Sequence, residues 1–205
     1  MDEAAARRRV IVDRIAYAIS GFTSPYVVTG IIAALAVLML RPTWGQLLLW
    51  GGIAVLTGAV LPFLIVYALW RKHRLTDIHV RLRGQRTVPF MAALVSGSAG
   101  MALLYAVQAP VELVALAAVY LANGLILTLI SLRWKISVHA AVFTAGVMSL
   151  WALGYMPALW ALALLPLVMW ARVRRRRHTW LQGLVPVALS LAVTPVVYGL
   201  VIRAV

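Results

Sequence analysis

The chain has 205 residues, 64% of them hydrophobic, no cysteine and a formal net charge of +14. That hydrophobic share exceeds what a soluble domain carries, and the missing cysteines exclude a disulfide framework, a thiol nucleophile and a thiolate metal site. In a soluble protein the positive charge would point to nucleic acid. Here it sorts with the apolar runs, as a topology signal and an attraction for anionic membrane lipids, so no nucleic-acid partner is expected.

Residues 1–20 form a basic cytoplasmic segment. Within it, 5–20 (AARRRVIVDRIAYAIS) mixes Arg with Val, Ile and Tyr at helical spacing, which suits a short interfacial helix. Residues 21–205 read as a single transmembrane helical domain. Its apolar runs fall at 22–40, 44–70, 88–109, 111–132, 137–154, 157–171 and 180–202. A crossing needs about 20 apolar residues, and the fifth and sixth runs are short. One helix over 137–171 would be roughly 52 Å long, and Pro157 sits where a break is wanted. Two crossings are therefore expected there. The fold class is an all-α integral membrane bundle of about seven transmembrane helices, six being the alternative count. The first run follows an Arg-rich start, but Leu38, Met39 and Leu40 make a poor cleavage site, so it is expected to be retained. The small residues at 96–100 (SGSAG) would let another backbone approach closely.

With seven crossings, 17 of the 19 Lys and Arg fall on the N-terminal side, leaving Arg41 and Arg203 for the other. Excess Lys and Arg in short loops marks the cytoplasmic face. The chain then has a cytoplasmic N-terminus and an outer C-terminus, as a multi-pass protein of the inner (cytoplasmic) membrane. His73, His79, His139, His178 and Asp77 share the cytoplasmic side.

Three cytoplasmic segments carry chemistry. Residues 77–89 read D-I-H-V-R-L-R-G-Q-R-T-V-P, residues 135–139 read K-I-S-V-H, and residues 172–182 read R-V-R-R-R-R-H-T-W-L-Q. Together they bring imidazoles, a hydroxyl and guanidiniums to one level of the membrane. Arg grips phosphate bidentately and keeps its charge, while His serves as nucleophile or proton donor near neutral pH. Each piece also has a plainer role. The run Arg174–Arg177 can be a stop-transfer signal, Ser137 can cap the fifth helix, and Asp77 can pair with a neighbouring Arg.

The ordered pair Ser137-x-His139 and Arg172-x5-His178, with two crossings between, resembles the type 2 phosphatidic acid phosphatase superfamily, in a divergent bacterial branch. The likeness covers about residues 77–202. It implies a metal-independent lipid phosphate phosphatase with no cofactor. His178 would be the nucleophile that forms a phosphohistidine, and His139 the acid that protonates the leaving lipid oxygen. Arg172, Ser137, Lys135 and Arg86 would hold the phosphate. Gln182 stands where that family has an orienting Asp, and an amide offers no anion to stabilise imidazolium. In the first motif Arg86 is followed by Thr87, with proline delayed to Pro89, and His79 occupies the expected Lys position. Asp77 and His79 are accessory candidates.

Two other classes stand beside this one. A catalytically impaired relative would bind or translocate a lipid phosphate without cleaving it. A prenyl- or phosphatidyltransferase would need acidic Mg²⁺ motifs, whereas Asp77 is the one cytoplasmic-face acid beyond the N-terminal stretch.

Overall fold

The computed structural model describes residues 3–77, 80 and 82–204, and every regular element among them is helical. In chain order the helices are α1 (Glu3–Phe22), α2 (Pro25–Met39), α3 (Trp44–Arg71), α4 (Thr87–Ala106), α5 (Val111–Ser131), α6 (Val138–Ala152), α7 (Met156–Arg174) and α8 (Trp180–Arg203). Five of them, α3, α4, α5, α7 and α8, are long and apolar enough to cross a membrane. A sixth is reached if α2 and the part of α1 from Arg7 count as one span bent by 46°.

That bend alters the first expected run. Ser24 accepts the Val27 amide at the head of α2 and Pro25 opens the helix, so α1 ends and α2 begins afresh. Pro25 suits that first turn because its missing N–H would have no partner there. The run at 22–40 thus holds a helix of 15 residues, about 22 Å long at 1.5 Å per residue. Helix α6 has the same length. The break expected near Pro157 is present: α6 stops at Ala152, Gly154 turns the chain at φ 93°, and α7 starts as a 3₁₀ stretch over Met156–Leu164.

Packing follows small residues. Helix α3 contains two π-turn segments, Leu47–Gly51 and Leu56–Val60, which displace its backbone bonds. At the second, Ser96 on α4 donates to the Thr57 carbonyl at 2.6 Å. A β-carbon on Gly100 would collide with the Thr57 side chain, so the 96–100 stretch does permit the close crossing its composition implied.

Five helices close into a ring. Helix α2 packs on α3, α3 on α4, α4 on α5, α5 on α6, and α6 back on α2. Helix α6 is the hub, since α7 and α8 also pack on it, and ten of its residues from His139 to Leu150 are buried. Helix α8 also covers α5, and α1 lies along α7.

Candidate functional site

The three sequence segments converge at the start of α6. Pro186 has no N–H, so the carbonyl of Gln182, four residues earlier in α8, is released from the helix ladder. The Ser137 amide takes it, donating at 2.9 Å. Arg86, just before α4, donates from Nη1 to the Ile136 carbonyl at 2.9 Å and from Nε to the Val80 carbonyl at 3.1 Å. Val80 holds φ at 46°, a costly conformation for a β-branched residue. After α7, Arg176 turns left-handed at φ 52°, and the Arg177 amide donates back to the Arg172 carbonyl at 3.0 Å. This helix-ending motif delivers His178 into the space beside Arg172.

Five candidate side chains are buried there: Ser137 at 1% exposure, Arg172 at 3%, His139 and Arg86 at 5%, and His178 at 7%. Among the described residues, Arg172 Nε and Nη1 meet no acceptor. Ser137 occupies the N-cap position of α6, yet its hydroxyl makes no capping bond and has no partner among the described residues. The plainer capping role is therefore unfilled. Nδ1 of His178 is also without a partner among them.

Electrostatics fix the charge state of His178. Burial, then the positive charges of Arg172, Arg86 and Lys135, push its pKa down to about 2, opposed by the Gln182 side chain. The imidazole is neutral at physiological pH, with its lone pair free for chemistry. Burial also lowers the Arg86 pKa to about 10, which still leaves the guanidinium charged.

Arg86, His139, Arg172 and His178 line one end of a cavity of about 250 Å³, whose remaining walls come mainly from apolar residues of α2 to α6. Lys135 is half-buried and close enough for its charge to act on His178. Asp77 pairs with Arg177 at 2.6 Å, beside His178 rather than in the cavity wall. His79 lies outside the described residues.

Gln182 does more than stand near His178. Its Oε1 accepts from the Thr179 amide at 3.2 Å, while its own amide donates to Thr179 Oγ1 at 3.3 Å. This is a capping box that fixes the residue next to His178 at the start of α8. The T-x-x-Q spacing was visible in the sequence as a helix-start signal, and it accounts for the amide without reference to an orienting carboxylate. Two further contacts left no local sequence signal: Asp13 of α1 accepts from Arg174 at 2.8 Å, and the Arg175 guanidinium lies 4.6 Å above the Tyr17 ring.

Compared with known proteins, the chain matches no family model, no curated protein sequence and no solved structure.

Proposed function

We propose that this chain is a membrane phosphatase that hydrolyses a lipid phosphate or diphosphate at the cytoplasmic face through a phosphohistidine, as a divergent relative of the type 2 phosphatidic acid phosphatases. Arg172 carries the proposal. Arg172 is 3% exposed, two of its donor nitrogens are unanswered among the described residues, and it stands with two imidazoles at the polar end of an apolar-walled cavity. A buried cation without a partner costs several kcal/mol. A phosphate answers it bidentately, and a hydrocarbon tail matches the remaining walls.

In the first step the His178 lone pair bonds to phosphorus as the phosphorus–oxygen ester bond breaks. The bond electrons leave on the lipid oxygen, which takes a proton from His139. In the second step water attacks the phosphohistidine while His139 accepts its proton. The phosphorus–nitrogen bond breaks, and inorganic phosphate and neutral His178 result. Arg172, Arg86, Lys135 and the Ser137 hydroxyl hold the non-bridging oxygens as charge builds. These steps use only side chains of this chain and water. The face is assigned by the basic loops, with seven crossings, a cytoplasmic N-terminus and α2 and α6 as the two short spans. Short spans are accommodated by local bilayer thinning.

Gln182 favours a second reading. Without a carboxylate at that position the chain would bind or translocate a lipid phosphate and not cleave it.

The test is phosphate release by purified protein from phosphatidate, phosphatidylglycerophosphate, polyprenyl phosphate and polyprenyl diphosphate, with alkaline quenching to trap labelled His178. Release from at least one lipid with an acid-labile label is expected. Binding without release or label would leave the second reading. Reporter fusions at the C-terminus and in the 71–87 loop should lie on opposite sides of the membrane.

A further inference from the structure

The cavity is long as well as amphipathic. From the Arg86 end its wall descends α4 through Pro89, Gly97 and Leu104, and α5 through Thr128, Ala117 and Leu113. On each helix the outermost of these residues are 15 positions apart, about 22 Å at helical rise. That exceeds the roughly 15 Å of one leaflet's hydrocarbon. Spread over that length, about 250 Å³ makes a narrow bore, without room for two hydrocarbon chains side by side. The five helices that close the ring supply most of the lining, with Arg172 added from α7.

We infer that the passage inside the α2–α6 ring seats the single linear hydrocarbon chain of a lipid phosphate, with its phosphate at Arg172 and Arg86, and that it rejects two-chain phospholipids by shape. Two observations meet here: a guanidinium with unanswered donors at one end, and a slender apolar bore behind it. Both chain types leave an apolar phase, so discrimination comes from packing and steric exclusion. The inference deepens the proposed function and rests on it for the phosphate end.

Phosphonate analogues, in which carbon replaces the ester oxygen, separate binding from cleavage. Purified wild-type protein in nanodiscs is titrated with geranylgeranyl phosphonate, geranyl phosphonate, geranylgeraniol and a diacylglycerol phosphonate, and bound lipid is counted by native mass spectrometry. Geranylgeranyl phosphonate is expected to bind at least roughly tenfold tighter than the two-chain analogue and tighter than geranylgeraniol. Phenylalanine placed in the wall at Ala117 (Ala117→Phe), and separately at Ala33 (Ala33→Phe), should weaken geranylgeranyl binding and spare geranyl. Two sites are used so that one poorly folded variant does not decide the outcome. Equal binding of the two-chain analogue, or no preference for the phosphonate over the alcohol, overturns the inference. Selective binding in a protein that releases no phosphate would uphold it while removing the phosphatase.

Discussion

The Ser137 amide and the Gln182 carbonyl, 2.9 Å apart, tie the first turn of α6 to the first turn of α8. The bond exists because Pro186 cannot compete for that carbonyl, so a residue away from the cavity sets the distance between the Ser137–His139 segment and the His178 segment. Pro186→Ala supplies a competing amide. Turnover should fall while the melting temperature stays near wild type, since the helix itself gains a bond. Parallel assays of phosphate release and thermal unfolding check this.

His178→Ala should abolish phosphate release, because no other described imidazole lines the cavity apart from His139. His139→Ala should slow it roughly 10²–10⁴-fold, the usual size of a general-acid loss. The deficit should shrink for substrates with good leaving groups. Full activity in His178→Ala would defeat the phosphohistidine route.

Arg172 sets function against stability. Replacing a buried, partner-poor guanidinium with a hydrophobic side chain of similar length is often neutral or stabilising by about 1–4 kcal/mol. Arg172→Met should therefore unfold at the same temperature or higher, yet lose at least roughly 10²-fold in turnover. A marked drop in melting temperature would show that Arg172 holds the fold instead.

His178 gives stability a pH dependence. Its pKa falls from 6.5 in the unfolded chain to about 2 in the folded one, so between those values the unfolded state binds the extra proton. Stability contributed by the neutral imidazole is present above about pH 6.5 and is lost as pH falls, by at most about 1.4 kcal/mol per unit. Melting temperatures at pH 7.5 and 5 should differ more for wild type than for His178→Gln.

The capping box makes Gln182→Glu a gentle change, because Glu serves the same position. Stability should be kept, and a carboxylate would then sit by His178. Gln182→Ala removes the cap and should cost about 1 kcal/mol. Loss of activity in Gln182→Glu with an unchanged melting temperature would show that the site is built around the amide.

The helices were legible from their apolar runs. Expected spans at 88–109, 111–132 and 180–202 match helices at Thr87–Ala106, Val111–Ser131 and Trp180–Arg203. Within 22–40 the helix starts only at Pro25, because Ser24 and Pro25 restart the chain after α1, which hydropathy does not register. The ends of α3, α4 and α7 carry left-handed His73, Gln108 and Arg176, where a sequence reader looks for glycine. The site residues could be named because Ser137, His139, Arg172 and His178 keep local spacings. The passage behind them could not, because it is assembled from five helices. Nor could Asp13–Arg174, whose partners are 161 positions apart.

Those long-range pairs sort the arginine run. Arg174 is held by Asp13, Arg175 by the Tyr17 ring and Arg177 by Asp77, while Arg176 faces outward and Arg172 alone lines the cavity. Five cations within six residues would otherwise offer an incoming anion several competing landing places. A chain cut back past Tyr17 would free Arg174 and Arg175 to trap headgroups unproductively. In the proposed phosphatase its kinetic signature would be inhibition by excess substrate, with His139, Arg172 and His178 untouched.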